Sequence, residues 1–273
     1  MKDNGILTYA STDRHVDQAV ALALTSRKFN NLPVCLVTTS STAEYATAMQ
    51  QYFDKILVIP NQSASTGILR AMDQTPYAGT LFVYSDSVIV SDIQGVFDLL
   101  DITDFVFPTV TDFMGQTPGR DLYYSRRTIE KNNLPDIWTN AFCFNKSDST
   151  SRLINRAYHI FNNWNAYASV LTKEYSIEDN LLQFNTILSM AVFLEDIPVM
   201  QNSFKFTNLS KQPGNMWIRS AADLNWFAYL NNWITDDCIL KVENYVQQGI
   251  VHYASEWMSA GTLARIKDVC PAR

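Results

Sequence analysis

Only three histidines occur in 273 residues: His15, His159 and His252. A metal centre built from several imidazoles is therefore excluded. The four cysteines (Cys35, Cys143, Cys238, Cys270) lie far apart, with no Cys-x-x-Cys spacing. They read as reduced thiols of a cytosolic protein. No apolar run reaches the roughly 20 residues of a membrane span. Met1 to Gly5 leads into a strand with no secretory leader, so a soluble cytoplasmic chain is expected. Motifs of other chemistries are missing: there is no Gly-rich phosphate loop, no G-x-G-x-x-G, no H-E-x-x-H and no G-x-S-x-G. Acidic side chains outnumber basic ones, 27 against 21, which argues against a protein whose main task is gripping a polyanion.

What is present is a chain that can bury a sizeable core, in one large α/β domain or two small ones. Ile6–Ala10, Pro33–Val37, Lys55–Pro60, Leu81–Val83 and Phe105–Pro108 read as short buried strands. Between them, Val16–Phe29, Ser41–Tyr52 and Gly67–Asp73 read as helices. Continuous apolar strands alternating with helices imply a Rossmann-like, mostly parallel sheet flanked by helices on both faces. Ligands of such sheets bind beyond the carboxyl ends of the strands. Tyr9-Ala10-Ser11 and Ser85-Asp86-Ser87 both lie at such ends, so they can face one cleft. Asp86 stands out, because it interrupts an apolar run that resumes as Val88-Ile89-Val90. A carboxylate there is costly unless something pairs with it.

From Thr109 the pattern changes. Thr111 to Pro135 is long and polar, as functional loops often are. Ala141–Phe144 reads as a strand, Ser149–Trp164 and Ile177–Phe193 as helices, Ile239–Val246 and Ile250–Tyr253 as strands, and Ser259–Val269 as a last helix. The expected organisation is a single domain, 1–273. Residues 1–108 form a ligand-binding half, and 109–273 form a mixed half facing a second substrate.

Several segments carry a resemblance. Leu7-Thr8-Tyr9-Ala10-Ser11-Thr12-Asp13-Arg14-His15 resembles the opening strand and turn of glycogenin-like glycosyltransferases. Gln74-Thr75-Pro76-Tyr77 and Leu81 to Val90 resemble that family's lead-in and the strand ending in Asp-x-Asp. Asn133 to Trp138, Phe142 to Ser147 and Gln248 to Tyr253 resemble glycosyltransferase-like proteins of tailed phages. The resemblance implies the GT-A architecture, a nucleotide-diphospho-sugar donor (a uridine one) and a divalent cation, Mn²⁺ or Mg²⁺.

Carried over by position, Thr8, Tyr9, Ala10 and Asp13 would line the nucleotide pocket, and His15 would stack on the base. Asp86 matches the last Asp of Asp-x-Asp and would bind the cation; otherwise it caps the following turn. Tyr84 stands where the first Asp belongs. A phenol that titrates near ~10 cannot replace a carboxylate there, though its hydroxyl could reach a ribose, with Ser85 beside it. A late His completes the family's metal site, and His252 takes that position; the alternative is a buried structural His. His159 reads as structural. Lys205 and Lys211 would neutralise the leaving diphosphate, and Arg70 would contact the donor. Asp179, at the head of the Ile177–Phe193 helix, and Asn140, before the Ala141 strand, would touch the transferred sugar. Acidic residues are also favoured in any first helical turn. The loop with Arg120, Arg126 and Arg127, and with Tyr123 and Tyr124, is either a solvated surface or the acceptor face. A hydroxymethylated base in phage DNA, reached by flipping, is the acceptor that the phage resemblance suggests.

The expected activity is transfer of a sugar to an acceptor hydroxyl. A glycan or protein acceptor is the alternative, as is a non-catalytic sugar-nucleotide-binding protein. A sugar-phosphate nucleotidyltransferase is disfavoured, because Ala10-Ser11-Thr12-Asp13 lacks the Gly-rich basic loop of those enzymes.

Overall fold

The computed structural model describes residues 3–116, 129–171, 183–201, 203–209, 231–253 and 260–270. The strands β1 (Asn4–Ala10), β2 (Val34–Thr39), β3 (Lys55–Ile59) and β4 (Gly79–Val83) are parallel neighbours. Two further strands, β6 (Phe105–Val106) and β8 (Ala141–Asn145), complete a six-stranded sheet in the order β3-β2-β1-β4-β8-β6. β8 runs antiparallel to both its neighbours. Its amino end therefore lies at the same edge as the carboxyl ends of β1 to β4.

Alternation along the strands explains why the sheet is covered on both faces. Ile6, Ala10, Leu81 and Val83 face one apolar cluster, together with α1 (Asp13–Phe29). Leu7, Tyr9, Phe82 and Phe142 face the other. That second cluster also takes residues of α3 (Ala64–Asp73) and α4 (Asp148–Asn162), and the two helices pack on each other. Gly67 of α3 is required by this packing, since a Cβ there would fall 2.3 Å from the Tyr9 ring. The short α2 (Ala43–Ala48) follows β2.

α1 starts at Asp13, three residues earlier than its apolar stripe suggests. Thr12 caps it by accepting from the His15 amide at 3.2 Å, with Asp13 in the first turn and Arg27 and Lys28 in the last. Both placements complement the helix dipole.

After β4 the chain leaves the first sheet. The apolar run resumes as β5 (Ser87–Ile89), but in a second sheet with β7 (Thr109–Thr111), β9 (Lys205–Asn208) and β13 (Ile250–His252). The order is β5-β13-β9-β7; β5 is antiparallel to β13, and the other pairs are parallel. α1 ties the sheets together: Thr25 Oγ1 accepts from the Ile89 amide at 3.2 Å, and Asn30 Oδ1 accepts from Ile93 at 2.9 Å.

Three expectations are corrected. Ile239–Val246 is a hairpin, β11 (Leu240–Val242) and β12 (Tyr245–Val246), because Glu243 takes a positive φ of 53° and turns the chain. β10 (Asn232–Ile234) pairs with β11 to make a three-stranded sheet. The Ser149–Trp164 helix breaks at Asn163, whose side-chain amide donates to the His159 carbonyl at 2.8 Å; a separate helix, α5 (Trp164–Val170), follows. The cysteines are not four free thiols: Cys238 and Cys270 form a disulfide, their Cα atoms 6.1 Å apart. Cys270 directly follows α7 (Ala260–Val269), which packs on α1. Cys35 and Cys143 remain free and buried. The cysteines therefore no longer argue for a reducing compartment. Among the described residues no helix is long and apolar enough to cross a membrane.

Candidate functional site

The turn Tyr84-Ser85-Asp86 joins the two sheets, and it is pinned at both ends. The Tyr84 amide donates to the Asn140 carbonyl at 2.9 Å, and the Tyr253 amide donates to the Asp86 carbonyl at 3.1 Å. Antiparallel pairing of β5 with β13 sets His252 opposite Ser87. Two positions 166 residues apart in sequence, Asp86 and His252, thus become neighbours.

The His252 ring is fixed on four sides. Its Nδ1 lies 3.1 Å from Asp86 Oδ1. Its Nε2 lies 3.2 Å from Asn140 Nδ2. Phe206 of β9 stacks on it at 6.1 Å and 24°, and Tyr84 meets it edge-on at 6.4 Å. The His252 side chain is 8% exposed and that of Asp86 is 26% exposed, so the pair looks out through the carboxylate.

The Asp86–His252 contact has an unusual feature. The two atoms are close, but they are not aligned for a hydrogen bond, and both are buried without another partner. Two buried polar atoms in that condition are costly. Two ligands at right angles around a cation with bonds of about 2.1 Å would stand about 3 Å apart. The pair fits a divalent cation by spacing, by donor chemistry and by unmet need. Among the described residues no third His, Cys, Asp or Glu joins them. A hard cation held by few side chains takes its remaining ligands from water and substrate phosphate.

Tyr84 does not supply a third ligand. Burial, and after it the Asp86 carboxylate, push its phenol well above the ordinary value, while a hydrogen bond with Thr139 pulls the other way. It stays a neutral hydroxyl at any working pH.

The structure brings together Asp86, His252, Asn140 and Tyr84, with Ser85 buried in the turn between them. The other predicted residues among those described lie around them as follows. Thr8, Tyr9 and Ala10 are buried in β1, towards its carboxyl end. Tyr9 packs on Gly67, and the Ala10 carbonyl accepts from Thr38 Oγ1 at 2.9 Å. Asp13 is exposed at the start of α1, at the carboxyl edge of the sheet, and His15 is half-buried with Nδ1 3.4 Å from Ser11 Oγ. Arg70 lies exposed in the later part of α3, its charge acting on the Tyr158 hydroxyl. Lys205 opens β9 and reaches Gln248 Oε1 at 3.5 Å. His252 pairs with Asn208, three residues further on, which puts Lys205 roughly 10 Å down the strand from the site. Asp179, Lys211, Arg120, Arg126 and Arg127 lie outside the described residues.

Sequence reasoning missed the groups that hold the site's shape. Asn185, in the first turn of α6 (Gln183–Leu194), accepts from the Thr139 amide at 3.0 Å and from the Thr139 hydroxyl. This staples the 139–140 segment above the sheet edge. Phe206 was equally silent, since an aromatic in a strand is ordinary core.

No protein-family model matches the sequence, and no curated protein matches it. Solved structures do. The galactosyltransferase LgtC, in complex with donor and acceptor sugar analogues, aligns with a TM-score of 0.54 over 98% of this chain and 95% of that one, at 14% identity. The chain has the GT-A fold. An active-site mutant of LgtC aligns at a TM-score of 0.51, over 97% and 94% of the two chains, at 10% identity. The glycosyltransferase GlyE of Streptococcus pneumoniae aligns at 0.48 and 11% identity, over 74% of this chain but only 45% of its own length. In this GT-A chain the Asp86–His252 pair sits where the central and second sheets meet.

Proposed function

We propose that this chain is a glycosyltransferase that takes a sugar from a nucleotide diphosphate, a uridine one, and places it on an acceptor hydroxyl. The observation that carries the reading is the Asp86–His252 pair, whose two unmet ligand atoms stand 3.1 Å apart at the sheet edge. Asp86 and His252 would hold Mn²⁺ or Mg²⁺, with the diphosphate oxygens completing the set. A bound cation would supply positive charge where the leaving diphosphate gains negative charge. The exposed amino end of α1, at Thr12 and Asp13, faces the same edge and offers backbone amides to the nucleotide. Ser85 and Asn140 border the pair. Tyr84 acts as a neutral wall against the His252 ring rather than as a ligand.

Asp179 and Lys211 keep the roles that the resemblance gives them, at the sugar and at the diphosphate. Lys205 does not. For the acceptor we infer a hydroxymethylated base in DNA, met by Arg120, Arg126 and Arg127. With a net charge of −6, such contact would be a local patch of salt-sensitive affinity.

Thermal shift with UDP, with and without Mn²⁺, tests the donor site. Stabilisation by UDP that grows with Mn²⁺ and disappears in Asp86→Ala supports it. No shift with any nucleotide sinks the enzyme reading. A shift without hydrolysis of any nucleotide sugar leaves a sugar-nucleotide-binding protein instead. Mass analysis of hydroxymethylated DNA incubated with the hydrolysed donor then tests the acceptor; unmodified DNA alongside a modified glycan or protein would redirect it.

A further inference from the structure

We propose that Asn140 is a positioning residue that sets which nitrogen of His252 carries the ring proton, and so makes Nδ1 available to a cation. The inference rests on the metal reading of Asp86 and His252, and it adds a control on it. A neutral imidazole has one donor nitrogen and one acceptor. To ligate a cation beside Asp86, His252 must present the Nδ1 lone pair, which puts the proton on Nε2. A ligating His almost always donates that second N–H to an acceptor, most often a carboxylate or a backbone carbonyl. Here the group at Nε2 is a side-chain amide, 3.2 Å away.

An amide differs from those acceptors in one respect: it carries a donor and an acceptor on the same carbon. A half-turn about its last bond exchanges them. With the amide nitrogen toward Nε2, as in this structure, Nε2 accepts and the proton sits on Nδ1, on the Asp86 side of the ring but out of line with Oδ1. With the amide oxygen toward Nε2, Nε2–H donates and Nδ1 is free to ligate. The ring keeps a partner at Nε2 in both states. No proton is gained or lost overall; it leaves Nδ1 for solvent, and another arrives at Nε2. The backbone around Asn140 does not have to move, because its carbonyl is fixed on the Tyr84 amide and the preceding Thr139 is stapled to Asn185. Phe206 and Tyr84 hold the ring plane. Cation entry then demands of these groups a half-turn of one amide and the exchange of the ring proton from Nδ1 to Nε2.

Two measurements test this on the whole chain. Mn²⁺ affinity in the presence of UDP is expected to fall about 10–100-fold in Asn140→Leu, which removes both amide ends. Asn140→Asp, which keeps an acceptor and removes the competing donor, should bind Mn²⁺ at least as tightly as wild type. Nitrogen-15 NMR of the imidazoles, read on three histidines with assignment by His252→Ala, should show Nδ1–H without metal and Nε2–H once Mg²⁺ and UDP are added. Wild-type affinity in Asn140→Leu, or one unchanged tautomer with and without Mg²⁺, overturns the proposal. If binding is lost in His252→Ala yet intact in Asn140→Leu, the metal reading stands and this one fails. If the wild type shows no saturable Mn²⁺ binding, both fall together.

Discussion

The central sheet and the second sheet are built by different rules. In the central sheet, β1, β2, β3 and β4 follow one another with a helix after each of the first three, and the pairing β3-β2-β1-β4 is a local winding of the chain. In the second sheet, β5 lies beside β13, more than 160 residues later, and β7 lies beside β9, about 95 residues later. The first is a scaffold with two apolar faces. The second exists to carry distant residues to one place. Asp86 belongs to the end of the scaffold and His252 to the end of the assembled sheet. The site therefore forms only when both are present and docked.

Paired truncations would break that division of labour most severely. Phe144 is fully buried at the far end of β8, against Phe105 and Phe142. Phe144→Ala should cost about 3–5 kcal/mol, lowering Tm by roughly 10 °C, while Mn²⁺ affinity measured well below Tm stays unchanged. Phe206→Ala removes an equally buried ring that stacks on His252. It should destabilise to a similar degree and weaken Mn²⁺ binding as well. Equal effects of the two variants on Mn²⁺ affinity would show that the scaffold and the assembled sheet are not separable.

The same difference explains what could be read from the sequence. β1, β2, β4 and the body of α1 were legible because burial writes continuous apolar runs, whereas the caps Thr12 and Ser63, which start α1 and α3 three residues ahead of the apolar stripe, were not read. Asp86 was legible because a carboxylate among Leu81 to Val90 breaks such a run. The His252 position followed from the resemblance, but its neighbours did not. Asn140 was expected at the sugar, but its contact with His252 was not expected, and neither residue's local sequence hints at a contact 112 positions away. The hairpin at Glu243 and the Cys238–Cys270 link were hidden for the same reason. Both are set by tertiary placement, which short-range periodicity does not encode.

The disulfide gives the next largest effect, and it should be confined to one region. Cys238 and Cys270 are 32 residues apart, and the loop they close holds β11, β12, β13 and α7. Cys270→Ser should lower stability by about 2–4 kcal/mol. Hydrogen exchange should quicken in β13 and α7 and stay slow in β1, β2 and β4. Uniform loss of protection across both sheets would mean that they unfold as one unit and that the comparison describes assembly alone.

Asp86→Asn should separate binding from folding. The amide keeps the shape and removes the charge. Metal-dependent UDP stabilisation should fall by at least about 2 kcal/mol, the scale of a lost charged interaction. Without ligand, Tm should move little, since the Asp86 backbone bond from Tyr253 remains. A large drop in metal-free Tm would make Asp86 a structural joint between the sheets first and a ligand second.

The smallest effect comes from the free thiols, both of which belong to the central sheet. Burial pushes the Cys35 thiol up to about 12 and raises Cys143 further. In the unfolded chain a thiol titrates near ~8.5. Below that pH neither state ionises, and the full stability is present. As pH rises through it, the unfolded chain releases protons that the folded chain retains, so stability falls until the folded values are reached. Between pH 8 and 9 the two thiols together should cost about 1 kcal/mol on this linkage. Urea unfolding at the two pH values measures it, and Cys35→Ala should remove about half of the difference. Cys238 and Cys270, joined to each other, contribute nothing to it. An alkaline loss that disappears in Cys270→Ser but persists in Cys35→Ala would reverse this assignment and place the titrating thiols in the assembled sheet.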